Sequence, residues 1–167
     1  MSGDSKRLLF VHHTMTGGTR QMVEAAVRGA ATEPAVTVTS LRAEQATATD
    51  LLEADGYLFA TPENLASMSG IMKDFFDRTY YDALERLDGR PYAAMICAGS
   101  DGQGAARQLE RIALGWRLQP IAPTLIVITH AQTPAAIRQP KQIARADLQR
   151  CEEIGATLAA GVALGVF

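Results

Sequence analysis

One short stretch of the sequence joins hydroxyl side chains to glycines directly after an apolar run. The stretch is "TMTGGT" (14–19), and its members are Thr14, Met15, Thr16, Gly17, Gly18 and Thr19. Hydroxyl groups, together with backbone N–H groups that glycine allows to turn inward, can surround an anion, and the N-terminus of a following helix strengthens the binding. The stretch therefore predicts a phosphate site built from neutral donors.

The same stretch excludes several other phosphate-binding sites. A Walker A loop has a lysine ahead of its Ser or Thr, and a dinucleotide fingerprint has G-x-G-x-x-G; neither is present, so nucleoside triphosphate hydrolysis is not expected. A receiver domain would need acidic residues here to hold Mg²⁺, where the chain has His12 and His13. A capped turn between a strand and a helix uses the same residue types and stays an alternative for the stretch alone.

Two further stretches could form the walls of a site for a flat ring. In "ATPENLASMSGIMKDFFDR" (60–78), Pro62 fixes the direction in which the chain leaves a strand, and residues 63–68 would cover the sheet edge. In "AGSDGQGAARQ" (98–108), glycines permit a ligand to approach the backbone closely. Gly-rich turns between strand and helix are, however, common in any α/β protein.

Apolar runs alternate with segments of helical periodicity along the whole chain. Near-continuous apolarity is typical of strands buried on both faces of a parallel sheet. It predicts strands over residues 7–13, 35–41, 55–61, 92–99 and 123–130. Apolar stripes predict helices over residues 22–30, 71–80, 105–116 and 148–162, and a weaker helix over 48–54. This alternation predicts a doubly wound α/β domain with ligands outside the carboxyl ends of its strands.

All three stretches resemble sequences of the flavodoxin-like superfamily, and residues 98–108 are similar to the Gly-rich loop that borders the pyrimidine edge of the flavin in these families. Residues 14–19 match the T/S-x-T-G-x-T phosphate loop of flavodoxins. Residues 60–78 are similar to the T-P-x-Y-x-x-S-x-x-G-x-x-K-x-x-x-D-R segment of the NAD(P)H-dependent FMN and quinone reductases, and the matches are Thr61, Pro62, Ser67, Gly70, Lys73, Asp77 and Arg78. This resemblance implies a three-layer flavodoxin-like α/β fold over residues 1–167 as a single domain, with five parallel strands in the order 2-1-3-4-5.

The resemblance also implies a cofactor and a reaction. FMN would place its phosphate on residues 14–19 and its ring between residues 61–68 and 99–104. There the backbone N–H groups of residues 100–103 would meet ring carbonyls and favour the anionic reduced flavin. Hydride would pass from NAD(P)H through FMN to a quinone or flavin acceptor, with no catalytic side chain and no metal. The residues implied for the cofactor are Thr14, Met15, Thr16, Gly17, Gly18, Thr19, Thr61, Pro62, Glu63, Asn64, Leu65, Ser67, Met68, Gly99, Ser100, Asp101, Gly102 and Gly104.

One departure from the family pattern keeps two other functions open. The chain has Asn64 and Leu65 where relatives often have an aromatic residue that stacks on the flavin, so contact by Leu65 or Met68 is the expected substitute. A flavodoxin-type one-electron carrier is the first alternative. Such carriers are strongly acidic, and the net charge of −2 of this chain counts against it. A flavin-free interaction module is the second.

Composition limits the partners. With a net charge of −2 and no basic run interleaved with aromatics, nucleic acid is not expected. The apolar stretches at the two ends are too short for a membrane span or a signal peptide, so we expect a cytoplasmic protein. The small-residue stretch at 155–167 would suit a homodimer contact, as in relatives. Cys97 and Cys151 form no CxxC pair and are expected to be small buried residues.

Overall fold

All five predicted strands form, and they lie in one parallel sheet. The coordinates are a computed structural model that describes residues 5–167; residues 1–4, which the predicted domain includes, lie outside the described part. The strands are β1 (Lys6–His12), β2 (Val36–Arg42), β3 (Gly56–Asn64), β4 (Ser67–Met68), β5 (Pro91–Ala98), β6 (Gln119–Pro120) and β7 (Leu125–Ile128). The helices are α1 (Gly18–Ala30), α2 (Ala48–Glu53), α3 (Gly70–Ala83), α4 (Gln103–Gly115), α5 (Pro134–Arg138) and α6 (Arg145–Leu164).

The order of the strands confirms the predicted topology. β2, β1, β3 and β5 are neighbours in that order, and every pairing among them is parallel. Both β6 and β7 pair with β5 in parallel, so the fifth position of the predicted order 2-1-3-4-5 is shared by two short strands. β4 is an addition: it runs antiparallel to the end of β3 and makes a hairpin with it.

Each face of the sheet has its own apolar core because successive side chains of a strand point to opposite faces. Leu8 and Phe10 of β1 pack in the core beneath α1 and α6. Leu9 and Val11 pack in the other core, beneath α2, α3 and α4. Every residue of β5 is buried, which agrees with the near-continuous apolarity that predicted a strand covered on both faces.

The predicted helices form at the expected places, and α5 is a further helix that periodicity did not indicate. Ser69 caps α3 by accepting a hydrogen bond from the Met72 N–H at 3.3 Å, as its place before the apolar stripe suggests. α5 has only five residues, and Thr133 caps it by accepting from the Ala136 N–H at 3.2 Å. A helix of five residues is too short to show an apolar repeat, so the sequence alone does not predict it.

α1 and α6 approach each other closely along two glycines. Gly29 of α1 faces the backbone of Glu152, and Gly155 of α6 faces the backbone of Ala26, with no room for a Cβ atom at either glycine. This contact fixes α1, and therefore the loop that leads into it, against the rest of the chain.

Candidate functional site

A cleft of about 950 Å³ lies at the carboxyl ends of the parallel strands. Four segments line it: residues 14–19 after β1, 62–66 at the end of β3, 97–100 at the end of β5, and 129–141 after β7. Its volume is near the upper end of the range for small-molecule sites, which is roughly 300–1,000 Å³. The fold therefore brings the three predicted loops together and adds a fourth.

The loop at 14–19 leaves four of its backbone N–H groups free at the start of α1. The Thr14 hydroxyl oxygen accepts hydrogen bonds from the N–H groups of Gly17 at 3.1 Å and Arg20 at 3.4 Å, which closes the loop. Other N–H groups of the loop donate to no residue of the described part, namely those of Met15, Thr16, Gly18 and Thr19. Free donors at a helix N-terminus fit an anion such as a phosphate.

Glycine is required at two places in this loop. Gly17 has φ of 92°, in the region that favours glycine. A Cβ atom at Gly18 would lie 2.7 Å from the sulfur of Cys97. Burial raises the pKa of the Cys97 thiol to about 11, so this side chain is an uncharged thiol near neutral pH and adds no negative charge beneath the loop.

Lys141 brings a positive charge to the loop from far along the chain. Its Nζ lies 3.3 Å from the hydroxyl oxygen of Thr16, across 125 residues of sequence. The backbone of Lys141 is also tied to the loop, because its N–H donates to the Thr16 carbonyl at 2.9 Å. Gln21 joins the two segments by donating to the carbonyls of Gly17 and Lys141. The lysine that "TMTGGT" lacks is thus supplied by another segment.

Lys141 is held in place by the C-terminal end of α5. Its Nζ donates to the carbonyls of Ala136 at 2.9 Å, Ile137 at 2.9 Å and Gln139 at 2.7 Å. A cation is favourable at a helix C-terminus, where carbonyl groups have no partner within the helix. The short helix α5 therefore positions the ammonium group beside the phosphate loop.

The hairpin formed by β3 and β4 is the second wall of the cleft. Its two central residues, Leu65 and Ala66, have positive φ values of 52° and 62°, a conformation that costs side-chain-bearing residues about 1 kcal/mol each. The Leu65 side chain is fully exposed at the tip. Gln108 of α4 holds the hairpin, since its Oε1 accepts from the Ser67 hydroxyl and the Met68 N–H, both at 2.9 Å.

Glu63 joins this hairpin to the Gly-rich loop before α4. Its two carboxylate oxygens accept hydrogen bonds from the N–H groups of Gly102 at 2.8 Å and Ala105 at 3.1 Å. Gly104 lies so close to the carbonyl oxygen of Ala66 that a Cβ atom would overlap it. The expectation that all N–H groups of residues 100–103 face a ring needs correction, because the Gly102 N–H donates to Glu63.

Eleven of the predicted cofactor residues line the cleft. They are Thr14, Met15, Thr16, Gly18, Thr19, Pro62, Glu63, Asn64, Leu65, Gly99 and Ser100. Met15 and Leu65 are exposed apolar side chains on this lining, and the Asn64 amide donates to the Met15 sulfur at 3.0 Å. These residues lie at the cleft, in the loops that the sequence predicts for the site. Their contact with a cofactor stays a prediction.

The other predicted residues do not line the cleft, for identifiable reasons. The Thr61 hydroxyl is buried and bonded to the Ser69 hydroxyl and the Pro62 carbonyl. Ser67 donates to Gln108, and Met68 packs in the core beneath α3 and α4, so Met68 is not the expected substitute for an aromatic residue. Four further predicted residues are not among those that line the cleft, namely Gly17, Asp101, Gly102 and Gly104.

Sequence reasoning missed the fourth wall, which follows β7. Ala131 lies against Gly99, where a Cβ atom would overlap its carbonyl oxygen. Ile137 and Arg138 of α5 are exposed along the cleft, and Lys141 completes this wall. No motif marks these positions; the only available signal was that the chain after the last strand of a parallel sheet returns to the ligand-binding edge.

Two histidines at the end of β1 lie close together beside the first loop. The Nδ1 atom of His12 is buried and has no hydrogen-bond partner among residues 5–167. His13 shares a hydrogen bond of 2.8 Å between its Nδ1 and the Ser69 hydroxyl, and it does not line the cleft. Burial lowers the pKa of both imidazoles, an effect that nearby Glu44 opposes and that, for His12, Arg42 reinforces.

These histidines predict acid sensitivity. The pKa of such a histidine is lower in the folded protein than in the unfolded chain, where it is 6.5. As the pH falls below 6.5, the unfolded chain takes up the proton first, so the free energy of unfolding decreases until the pH has passed the pKa of the folded state. We expect the free energy of unfolding in urea to decrease between pH 7.5 and pH 5. The His12→Gln variant should show a shallower decrease, whatever its stability at pH 7.5. An unchanged slope in that variant would show that His12 does not cause the effect.

No group of three or more His, Cys, Asp or Glu side chains among residues 5–167 could hold a metal ion. Within the same residues, no helix is both long and apolar enough to cross a membrane. Cys97 and Cys151 are buried and free, as expected from their spacing.

Comparison with known proteins finds one family and related sequences. The family model described as NADPH-dependent FMN reductase matches residues 15–133. A flavodoxin from Aquifex aeolicus (strain VF5) is 33% identical over 98 residues, which cover 59% of this chain and 53% of that protein. An NAD(P)H dehydrogenase (quinone) from Acidithiobacillus ferrooxidans is 32% identical over 93 residues, covering 44% of this chain and 46% of that protein. The chain spans about half the length of these curated relatives.

Solved structures share the fold. A flavodoxin from the domain Archaea superimposes with a TM-score of 0.77 at 21% identity, covering 93% of this chain and 98% of that chain. A WrbA-like flavodoxin from Agrobacterium tumefaciens superimposes with a TM-score of 0.70 at 17% identity, covering 95% of this chain and 98% of that chain. At these identities the likeness establishes the flavodoxin-like architecture and nothing finer.

Proposed function

The chain belongs to the NADPH-dependent FMN reductase family, and on that premise we propose that it takes hydride from NAD(P)H through bound FMN and delivers electrons to a small-molecule acceptor, a quinone or a flavin. The family membership also confirms the predicted resemblance and makes the protein a flavodoxin-like oxidoreductase with FMN as its cofactor. The donor and the acceptor are the proposed parts.

The cleft fits the phosphate end of FMN. Free backbone N–H groups at the start of α1 and the hydroxyls of Thr14 and Thr16 would surround the phosphate, and Lys141 would balance its charge. At Gly18 a Cβ atom would lie 2.7 Å from the Cys97 sulfur, so glycine lets the loop lie close to Cys97. An anion with several oxygen acceptors satisfies more of these groups than an uncharged ligand does.

The same cleft fits the ring end of FMN. When bound, FMN supplies a ring that accepts hydride from a reduced nicotinamide and releases electrons to an acceptor. Pro62, Asn64 and Leu65 would form one wall beside it, and Gly99 and Ser100 the floor. The chain's own part is placement of the ring. The only acidic or basic side chains of residues 5–167 that line the cleft are Glu63, Arg138 and Lys141.

The observation that carries the proposal is the open lining of the cleft. Among the described residues, none that lines it is aromatic, whereas carriers of the flavodoxin type hold the ring between aromatic side chains. The exposed residues Met15 and Leu65 cover little of a ring, so one face would stay accessible to a nicotinamide or an acceptor. The relative named flavodoxin favours the second candidate, a one-electron carrier. A homodimer and a cytoplasmic location are further parts of the proposal.

Steady-state turnover tests the proposal. FMN-loaded protein is given NADPH or NADH together with a benzoquinone or free FMN, and consumption of the reduced nucleotide is followed by absorbance. We expect turnover in the usual range of about 1–1,000 s⁻¹ with at least one pair, and none for protein stripped of FMN when a quinone is the acceptor. Absence of turnover with every pair would contradict the reductase proposal.

A further inference from the structure

Glu63 places a carboxylate on the wall of the cleft, at the N-terminus of α4. Its oxygens accept hydrogen bonds from the N–H groups of Gly102 at 2.8 Å and Ala105 at 3.1 Å. Glu63 is partly buried and lines the cleft beside Ser100. No lysine or arginine of residues 5–167 forms an ion pair with it.

This carboxylate changes the electrostatics of the Gly-rich loop. A helix N-terminus carries about half a positive charge, which favours an anion nearby. A carboxylate bound directly to that N-terminus supplies more negative charge than the helix end supplies positive charge. The wall of the cleft formed by residues 99–102 therefore disfavours additional negative charge, in contrast to the phosphate loop, where Lys141 is present.

Glu63 also holds a strained hairpin. The turn at Leu65 and Ala66 has positive φ at both residues, and the hairpin is fixed to α4 at two points. One point is the Glu63 carboxylate, and the other is the uncharged Gln108 side chain, which accepts from Ser67 and Met68 at 2.9 Å. The two clamps differ in charge but hold the same hairpin to the same helix.

From these contacts we propose that Glu63 is a positioning residue that also weakens the binding of reduced, negatively charged FMN relative to oxidised FMN. Its carboxylate holds the hairpin wall and opposes negative charge at the ring end of the cleft. The consequence is a bound cofactor that gives up its electrons readily to an acceptor. This inference rests on the proposed function in one respect, that FMN is the ligand of the cleft.

The test compares three variants by binding and by potential. The variants are Glu63→Gln, which removes the charge, Glu63→Asp, which keeps it, and Gln108→Leu, which releases the other clamp. Dissociation constants for oxidised and reduced FMN are measured under anaerobic conditions, and the midpoint potential of the bound flavin is measured against a reference dye.

We expect Glu63→Gln to shift the ratio of the two dissociation constants about tenfold in favour of reduced FMN, which for a two-electron couple raises the midpoint potential by about 30 mV. Glu63→Asp should keep the ratio within about threefold of the parent protein. Gln108→Leu should weaken binding of both forms alike and leave the ratio unchanged.

Three results would overturn the inference. The first is an unchanged ratio in Glu63→Gln while FMN binds, and the second is an equal shift in Gln108→Leu, which would assign the effect to the hairpin rather than to charge. The third is a full shift in Glu63→Asp. Failure of the parent protein to bind FMN is a different result, because it removes the proposed function itself and with it the ligand on which this inference rests.

Discussion

Replacing Lys141 by methionine weakens FMN binding about thirtyfold and leaves riboflavin binding within about twofold. The Lys141 Nζ lies 3.3 Å from the Thr16 hydroxyl oxygen, beside four free N–H groups that fit a phosphate. Hydrogen bonds to charged groups contribute roughly 1.5–3 kcal/mol, and riboflavin has no phosphate to lose them. Both ligands are titrated into cofactor-free protein, and the quenching of flavin fluorescence gives the dissociation constants.

The control for this prediction is Arg28→Met. Arg28 is exposed in the last turn of α1, far from the loop at the beginning of that helix, so its replacement removes the same charge elsewhere. We expect its affinity for FMN to stay within about twofold of the parent protein. Equal losses for FMN and riboflavin in Lys141→Met would show that Lys141 acts through the position of α5 and not through the phosphate.

Replacing Gly155 by alanine destabilises the fold by about 3 kcal/mol, or roughly 10 °C in the unfolding midpoint for a chain of this size. A Cβ atom at Gly155 overlaps the backbone of Ala26, and backbone atoms in the middle of a packed helix cannot move aside as a side chain can. α1 and α6 must therefore separate. Urea unfolding, followed by circular dichroism, measures the change in free energy.

Gly70→Ala is the matched control. Gly70 is the first residue of α3, and a Cβ atom there has no atom within 4 Å. Because alanine restricts the unfolded chain more than glycine does, we expect no loss and a gain of up to about 1 kcal/mol. A Gly155→Ala variant as stable as Gly70→Ala would contradict the close helix contact.

The strands and the loop after β1 could be predicted because their signals are local, whereas the order of the strands in the sheet was implied by the resemblance to the flavodoxin-like superfamily. Apolar runs such as residues 92–99 mark strands buried on both faces, and "TMTGGT" lies within six consecutive residues. Lys141 could not be predicted, since its contact with Thr16 spans 125 residues and depends on a five-residue helix. Such a contact exists only in the folded chain.

The predicted wall of the cleft differs from the observed one where a hairpin turns back on itself. Residues 61–68 were expected to face a ring as one wall, but β4 pairs with β3, and alternation in so short a strand puts Met68 into the core. The same reversal brings Glu63 to the N–H groups of Gly102 and Ala105. A turn with Leu65 and Ala66 at positive φ has none of the residues, such as Asn-Gly, that predict a tight hairpin.

Single-turnover reduction tests the central claim most directly. Protein loaded with FMN is made anaerobic and mixed rapidly with NADPH, then separately with NADH, while the visible absorbance of the flavin is followed. We predict that at least one nucleotide bleaches the bound flavin more than tenfold faster than it bleaches free FMN. A bound flavin that stays oxidised with both nucleotides, yet is reduced by dithionite, would contradict the reductase function and favour the one-electron carrier.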